Sequence, residues 1–217
     1  MNGPAVRPFG LEESMFRYLS IVVFTGAFYL YALYENITML QTLMKPFPMI
    51  ALIASLGAGR GGYGHWILLG LVTSLVGDVF LIFDKGFIPG LTFFLAAHVC
   101  YLGAFTSASK ALKPIPLLIF AAWGGVAYYL LNPHLGDMRT AVTVYMCVIC
   151  LMMWRAAALA NKGSYGRAAA MGAVLFGISD TLLAFNKFYQ SFDLAPYLVI
   201  ITYWSGQYLI TQSARKR

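Results

Sequence analysis

The chain has 217 residues, of which 60% are hydrophobic and 11% charged, and its formal net charge is +7. So few charges among so many apolar residues exclude an ordinary soluble domain, because a soluble fold needs a polar surface that this sequence cannot provide. The basic residues are scattered through short loops and a three-residue tail. That distribution is typical of membrane topology signals and argues against nucleic acid as a partner.

A helix needs about 20 mostly apolar residues to cross a bilayer. Eight such runs follow one another along the chain, separated by short segments with Gly, Pro, Asn, Asp or Lys. Open strands would leave backbone groups unpaired in lipid. We therefore predict an all-α polytopic membrane protein, with residues 1–217 forming one integral domain built as an eight-helix transmembrane bundle. The predicted spans are Phe16–Tyr34, Thr42–Ala58, Trp66–Phe83, Phe87–Ser107, Pro114–Leu131, Arg139–Ala160, Arg167–Phe185 and Leu194–Thr211.

An even number of spans places both termini on one side of the membrane. The first apolar segment is read as a retained span, because no small-residue cleavage site follows it. The positive-inside rule then predicts that both termini are cytoplasmic, and we predict the bacterial cytoplasmic membrane as the location. The side with the termini carries 11 of the 15 Lys and Arg residues: Arg7, Arg17, Arg60, Lys110, Lys113, Arg155, Lys162, Arg167, Arg215, Lys216 and Arg217.

The third and seventh spans resemble each other. At an offset of 102 residues, VTSLVGDVFLIFDKGF aligns with VLFGISDTLLAFNKFY with five identities in sixteen positions, Asp78 and Asp180 among them. The same offset pairs Tyr101 with Tyr203. Four spans separate the copies, so the pattern predicts a parallel four-plus-four pseudo-repeat with a two-fold axis along the membrane normal. Such an axis would bring the two aspartates face to face, about 8 Å below the helix ends opposite the termini.

An aspartate inside a membrane costs about 2.5–3.5 kcal/mol on insertion scales, and such residues are functional candidates by default. The alternative is that Asp78 and Asp180 pair with hydroxyl groups or lysines and only hold helices together. Two carboxyls that share one site do not both ionise readily. One neutral acid and one anionic base would result, which is the combination that general acid–base hydrolysis requires. We therefore predict that both aspartates are catalytic.

Further polar residues lie near the two aspartates at helical spacing or at the matching helix ends, and we predict that they bind substrate. Ser74 precedes Asp78 by one turn, and residues four apart share a face of a helix. Each also has a simpler interpretation, since a buried Tyr usually makes one hydrogen bond and a lone His is more often a packed core residue. The candidates are Lys45, Ser74, His98, Tyr101, Ser179, Asn186, Lys187, Tyr203 and Gln207.

Neither a metal nor an organic cofactor is predicted. Only one of the three histidines, His98, lies within a span, whereas a catalytic zinc usually takes three protein ligands. Cys147 and Cys150 form a C-x-x-C pair inside an apolar helix, where packing is a more economical interpretation than redox chemistry. The sequence also lacks a G-x-S-x-G nucleophile motif.

The segments KPFPM, SLVGDVFLIF, FFLAAHVCYLGAF, GAVLFGISDTLLAFNKF and TYWSGQYLITQS, in this order, resemble the YhhN-like family, the lysoplasmalogenases. The likeness runs from about Lys45 to Ser213. It implies an eight-span hydrolase that cleaves the vinyl-ether bond of a lysophospholipid within the bilayer. The expected products are a fatty aldehyde and glycerophosphocholine or glycerophosphoethanolamine, and no cofactor is expected. The family's aspartates map onto Asp78 and Asp180, and its other motif residues onto Lys45, His98, Tyr101, Tyr203 and Gln207.

Vinyl-ether hydrolysis begins with protonation at carbon and proceeds through an oxocarbenium-like cation, so paired carboxylates could serve it much as they serve glycosidases. We expect one aspartate to donate the proton and the other to orient water, so that an Asn substitution at either one removes aldehyde release. Two alternatives remain open. A proton-coupled transporter also uses buried carboxylates. An intramembrane aspartyl protease would share Gly77-Asp78, but it would carry Tyr at the position of Ser179.

Overall fold

A computed structural model describes residues 9–57, 61–83 and 85–217 of the chain, with side chains from residue 17 onward. The described ranges contain helices and turns and no strand. This confirms the predicted all-α class. The predicted span end at Ala58 and the basic residues Arg7 and Arg60 lie outside the described residues. The helices are α1 (Phe9–Tyr34), α2 (Thr38–Met44), α3 (Phe47–Leu56), α4 (Gly61–Phe80), α5 (Phe87–Ala108), α6 (Pro114–Leu131), α7 (Arg139–Ala157), α8 (Gly163–Ala184) and α9 (Ala195–Arg215).

Seven helical segments of the described chain are long and apolar enough to cross a membrane, and they correspond to the first seven predicted spans. Helix α9, of 21 residues, would extend about 31 Å, which is also sufficient for a crossing. It is less apolar because a row of polar side chains, including Gln207 and Thr211, faces the interior of the bundle. The chain is thus an integral, multi-pass membrane protein.

The predicted second span is not one continuous helix. Its first part, α2, has Lys45 as its C-cap, and α3 begins at Phe47 with Pro46 as its N-cap and Pro48 in its first turn. Proline has no backbone N–H to continue a helical hydrogen-bond ladder and is tolerated best in the first turn of a helix. The two prolines therefore end α2 and start α3 in the middle of this span, and Lys45 lies at the break.

The helix pairs α4–α5 and α8–α9 are the most extensively packed pairs of the described chain. Small residues bring the backbones together in both pairs. A Cβ added to Gly77 would lie 3.3 Å from the carbonyl oxygen of Gly90, and one added to Gly172 would lie 2.8 Å from that of Gly206. These are the two pairs that the sequence alignment matches. The two-fold axis relating them stays a prediction.

Contacts at the two ends of the bundle define the direction of each helix. Near the termini, the Arg155 guanidinium donates hydrogen bonds to the carbonyl oxygens of Ser109 and Ala111. At the opposite end, the rings of Phe87 and Phe188 pack edge to face with their centroids 5.9 Å apart. Because α5 begins and α8 ends at that second end, the helices alternate in direction. Both described ends of the chain lie on one side, which we call the termini side.

Candidate active site

Helices α5, α6, α7 and α8 enclose a cavity at the end of the bundle opposite the termini. Its volume is about 50 Å³. Ten of its thirteen lining residues are apolar, and the three polar ones are Tyr145, Asp180 and Thr181. Asp180 is the one carboxyl group among the lining residues. An apolar cavity with a few convergent polar groups is the usual form of a small-molecule site. We call this space the Asp180 cavity.

Asp180 is held by side chains from two other helices. The Tyr145 hydroxyl, on α7, donates a hydrogen bond of 2.5 Å to its Oδ2. The Nε2 atom of His98, on α5, lies 3.3 Å from the same oxygen. The Asp180 side chain is 12% exposed, whereas His98 is fully buried. No described side chain hydrogen-bonds to Oδ1. One oxygen of the carboxyl is thus held, and the other is left for a ligand in the cavity.

The backbone of α5 determines the tautomer of His98. Its Nδ1 lies 2.7 Å from the carbonyl oxygen of Phe94, and a carbonyl can only accept a hydrogen bond. Nδ1 therefore carries a hydrogen, and in a neutral imidazole Nε2 is then an acceptor. Nε2 has no well-aligned hydrogen-bond partner among the described groups. Its lone pair lies beside Asp180, so a proton in this contact can lie on the carboxyl or on the ring.

The rim of the cavity carries two of the predicted substrate-binding residues. Helix α8 continues past Ala184 as a π-helical turn, Phe185–Tyr189. In this turn, the exposed Lys187 places its Nζ 5.1 Å from the ring centroid of Phe87, a lining residue of the cavity. The Asn186 Oδ1 accepts a hydrogen bond from the Phe192 backbone N–H at 3.2 Å, which ties the turn to the following loop. A cation therefore lies at the cavity rim, on the side opposite the termini.

Asp78 lies in a second polar group with no share in the Asp180 cavity. It is 2% exposed, and its Oδ2 accepts a hydrogen bond of 2.6 Å from the Tyr203 hydroxyl. In the same group, Gln207 accepts a bond of 2.7 Å from the Tyr101 hydroxyl and donates one of 2.9 Å to Ser74 Oγ. Helices α4, α5 and α9 supply these five side chains, which we call the Asp78 cluster. Each of the five has a partner inside the protein.

Two further residues act on Asp78 through their charge or dipole. Lys45, at the break between α2 and α3, interacts electrostatically with Asp78, and so does Tyr29 on α1. Within the described ranges, no Lys or Arg nitrogen lies within 4 Å of an aspartate oxygen. Lys45 is therefore a nearby countercharge for Asp78 and not a direct ion-pair partner.

The Phe176 ring connects the two polar groups. We call Asp180 with its two partners, Tyr145 and His98, the Asp180 group. The Phe176 centroid lies 4.5 Å from that of His98 in this group and 5.3 Å from that of Tyr203 in the Asp78 cluster. Phe176 is fully buried. No hydrogen bond joins Asp78 to Asp180 in the described chain, and each carboxyl has its own tyrosine. The structure thus places most of the predicted site residues in two groups, one around Asp180 and one around Asp78.

Ser179, a predicted substrate-binding residue, holds two helices together, whereas Tyr145, which was not predicted, contacts Asp180 in the cavity. Ser179 is buried and donates a hydrogen bond of 2.9 Å to the Val199 carbonyl oxygen, so its hydroxyl joins α8 to α9. Tyr145, which was not among the predicted site residues, donates to Asp180. The signal for it was a lone phenol in the apolar run TAVTVYMCVIC, since a buried phenol needs a hydrogen-bond partner.

The described residues include no cluster of three or more His, Cys, Asp or Glu side chains with the arrangement of metal ligands. All three cysteines are free, and Cys147 is exposed. The polar chemistry of the Asp180 cavity therefore consists of carboxyl, imidazole, phenol and hydroxyl groups.

Comparison with known proteins gives one family and several relatives. The sequence model of the YhhN family matches residues 40–214. Lysoplasmalogenase TMEM86B of Sus scrofa is 37% identical over 205 residues, covering 91% of this chain and 86% of the relative. Lysoplasmalogenase TMEM86A of Homo sapiens is 38% identical over 188 residues, with coverages of 80% and 78%. A lysoplasmalogenase of Mycobacterium bovis is 27% identical over 186 residues, with coverages of 80% and 69%. No solved structure matches the chain.

Proposed function

Since this chain belongs to the YhhN family, we propose that it is a lysoplasmalogenase, an enzyme that hydrolyses the vinyl-ether bond of a lysoplasmalogen within the membrane. The products are a fatty aldehyde and a glycerophosphocholine or glycerophosphoethanolamine head group. The names of the relatives support this reaction. The observation that carries the proposal is a single carboxyl group, Asp180, in the wall of an apolar cavity of a multi-pass helical bundle.

The lining of the cavity suits the vinyl-ether end of an amphiphile with one hydrocarbon chain. Its apolar lining can contact the first carbons of the alkenyl chain, while Lys187 at the rim supplies a cation for the phosphate. The reacting bond would then lie between the two, at the depth of Asp180. The remaining predicted cation, Lys45, lies in the surroundings of Asp78, so Lys187 is the better candidate for the head group.

Asp180 can supply the acid and the base of the reaction in turn. In its neutral form it donates its proton to the alkenyl carbon, which leaves an oxocarbenium ion next to a carboxylate that stabilises it. Water adds to the cation and returns a proton to Asp180, and the product is a hemiacetal. Transfer of the hemiacetal hydroxyl proton to the ether oxygen then releases the aldehyde and the glycerol hydroxyl. Atoms and protons balance with water as the second reactant.

The partners of Asp180 suit this cycle. The Tyr145 hydroxyl donates to Oδ2 and therefore stabilises the carboxylate that forms after proton transfer. His98, whose Nε2 lies 3.3 Å from the same oxygen, can exchange a proton with the carboxyl group and so help to restore its acid form. Oδ1, which no described side chain hydrogen-bonds, is then the oxygen available to substrate and water. Tyr145 and His98 are positioning residues in this proposal, and Asp180 is the catalytic residue.

Asp78 has a different task in the proposal. It anchors Tyr203, which packs against Phe176, and Phe176 packs against His98. Asp78 thus helps to fix the position of His98 through the packed rings of Tyr203 and Phe176. The predicted sharing of a proton between the two carboxyls is not part of the proposal, because each carboxyl accepts from its own tyrosine. The other residues of the Asp78 cluster hold α4, α5 and α9 in register.

The test compares two lipids with the same head group. The detergent-purified protein is incubated with a lysoplasmalogen and with an ester lysophospholipid, and free aldehyde and free fatty acid are measured. Aldehyde from the first lipid and no fatty acid from the second supports the proposal. Flux of the lipid or of protons across proteoliposomes without any aldehyde would instead support the transporter alternative and overturn it. The bacterial cytoplasmic membrane as the location, with cytoplasmic termini, stays part of the proposal.

A further inference from the structure

A groove along α6 and α7 adjoins the Asp180 cavity. Its volume is about 480 Å³, and its lining includes Leu117, Gly125 and Tyr128 from α6 and Cys147 and Leu151 from α7. We call it the α6–α7 groove. The Met146 side chain, on α7, lines both the groove and the Asp180 cavity. The two spaces are therefore neighbours with one flexible side chain between them.

Two adjacent glycines of α6 give the groove its shape. A Cβ on Gly124 would lie 2.8 Å from the Cys150 sulfur, so the absence of a side chain there lets α7 approach α6. A Cβ on Gly125 would have nothing within 4 Å, so the missing side chain at this position leaves open space. Helix α6 is also weakly buried, with 17% of its span inside the bundle. The groove is thus open toward lipid along a thinly covered helix.

The groove extends from the cavity toward the termini side. Along α6 it runs from Tyr128 back to Leu117, which is 11 residues or about 16 Å of helix. That length is close to one leaflet of a hydrocarbon core of about 30 Å. The rim with Lys187 lies at the other end of the cavity, on the side opposite the termini. A cation, a carboxyl group and an apolar groove therefore follow one another along the membrane normal.

We propose that the α6–α7 groove is the binding site for the hydrocarbon chain of the substrate, and that the substrate comes from the leaflet opposite the termini. The inference rests on the proposed function. A lipid in that leaflet has its head group at the surface, its vinyl ether just below and its chain directed toward the midplane. This order matches Lys187, Asp180 and the groove. A lipid from the other leaflet would have to turn over to present its ether bond to Asp180.

Met146 controls the passage between the cavity and the groove. Methionine is unbranched and adapts its shape to its neighbours. In this proposal, rotation of the Met146 side chain, which lines both spaces, joins them. The chain of a bound lipid then takes the place that the thioether leaves, and the lipid slides in sideways between α6 and α7.

Gly125→Phe is the variant that tests the groove, because its ring would occupy the open space at that position. The matched control is Leu118→Phe, on a residue of α6 that is 69% exposed and lines no described cavity. Each is assayed on a lysoplasmalogen with a long alkenyl chain and on one with a four-carbon chain. We expect Gly125→Phe to lower kcat/KM at least about tenfold for the long chain alone, because excluded methylene groups lose their burial. The control should change neither value.

The outcome of this assay separates the two proposals. Aldehyde release by the unmodified protein tests the reaction and is measured first. An equal loss on both chain lengths, or no loss on either, would overturn the groove as the chain site while leaving the reaction intact.

Photocrosslinking gives a second test that needs no variant. A non-hydrolysable alkyl lysophospholipid with a diazirine at the chain end is bound to the unmodified protein and activated by light. We expect labelled peptides from residues 117–128 or 143–151, and less labelling when lysoplasmalogen competes. A diazirine beside the head group should label the 185–189 turn. Labelling that lysoplasmalogen does not displace would identify an ordinary bilayer lipid and overturn the chain site. Head-group labelling on the termini side would overturn the assigned leaflet.

Discussion

The surroundings of Asp180 and those of Asp78 are alike in composition and different in access. Each aspartate lies near the end of its helix opposite the termini, and each accepts a short hydrogen bond from a tyrosine. Asp180 lines an apolar cavity, and one of its oxygens has no described partner. Asp78 is 2% exposed and belongs to a cluster whose side chains hydrogen-bond to one another. Two similar sequence segments thus provide one accessible carboxyl and one enclosed carboxyl.

This difference separates a reactive role from a supporting one. A buried polar group that is fully hydrogen-bonded specifies the packing of its helices. A carboxyl with a free oxygen in a cavity can exchange a proton with a ligand. Intramembrane acids are functional candidates by default, but the surroundings decide which function each one has.

Asp180→Asn is expected to have the largest effect. An amide cannot donate a proton to the alkenyl carbon, and loss of a general acid typically costs between about a hundredfold and ten thousandfold in rate. Aldehyde release from lysoplasmalogen should fall by about a thousandfold. The amide oxygen can still accept from Tyr145, so we expect an unchanged elution profile and a melting temperature close to that of the unmodified protein. Residual activity above a tenth would remove Asp180 from the chemistry.

Asp78→Asn should lower aldehyde release by about tenfold, well short of the loss at Asp180. The Asn oxygen can still accept from Tyr203, but this hydrogen bond is then to a neutral group, whereas one to a charged group contributes about 1.5–3 kcal/mol. The negative charge near Lys45 is also lost. The same assay measures the loss of activity, and thermal unfolding in detergent measures the loss of stability from the weaker hydrogen bond. A loss as large as that of Asp180→Asn, in a protein that still folds, would restore the two aspartates as equal partners.

Tyr145→Phe and Tyr203→Phe make a matched pair, because each removes one hydroxyl from an aspartate. We expect Tyr145→Phe to lower kcat by about tenfold with little change in stability, since its hydrogen bond stabilises the carboxylate that forms during the reaction. Tyr203→Phe should instead reduce the free energy of unfolding by about 1–3 kcal/mol, because it leaves a buried acceptor unpaired. Steady-state kinetics and chemical denaturation distinguish them. The reverse pattern would exchange the roles of the two groups.

Lys187→Ala should have the smallest effect. Exposed ion pairs contribute up to about 1 kcal/mol, so we expect KM for lysoplasmalogen to rise by up to about fivefold without a change in kcat. High salt should reduce the difference, because salt screens exposed charges. The control is Lys85→Ala, at the matching position of the first aspartate segment, which should leave KM unchanged. Equal effects of the two substitutions would remove Lys187 from head-group binding.

The sequence predicts the helices well because the bilayer imposes one length and one composition on every crossing. Phe87 and Pro114, for example, start their helices where the predicted spans begin. The break at Lys45 and Pro46 was not predicted, since the apolar run from Thr42 continues through it. The predicted end of the seventh span at Phe185 also fell short, because a π-helical turn continues to Tyr189. Hydropathy measures composition, and these features depend on backbone hydrogen bonds.

The candidate site is predictable in part. Single buried acids stand out in an apolar sequence, and so does His98, whereas the partner of each acid depends on how helices rotate against one another. Tyr145 lies 35 positions before Asp180, with no spacing pattern that relates the two. The offset of 102 relates Asp78 to Asp180 and Tyr101 to Tyr203. Since Tyr203 donates to Asp78, an exact repeat would have Tyr101 donate to Asp180, but Tyr101 donates to Gln207. Packing of the rings around Phe176, which the sequence does not reveal, decides between such partners.

The Tyr145 hydroxyl holds Oδ2 of Asp180, and Oδ1 has no hydrogen-bond partner among the described side chains. This arrangement has a consequence for the movement of charge. The proton that leaves this carboxyl for the alkenyl carbon is replaced by one from the attacking water, in the same cavity and on the same side of the bundle. No charge then crosses the bilayer in a turnover. We expect aldehyde release in proteoliposomes to be the same at zero potential and under a potassium diffusion potential of either sign. A membrane potential is therefore neither consumed nor generated, and the reaction can run in a membrane that is not energised.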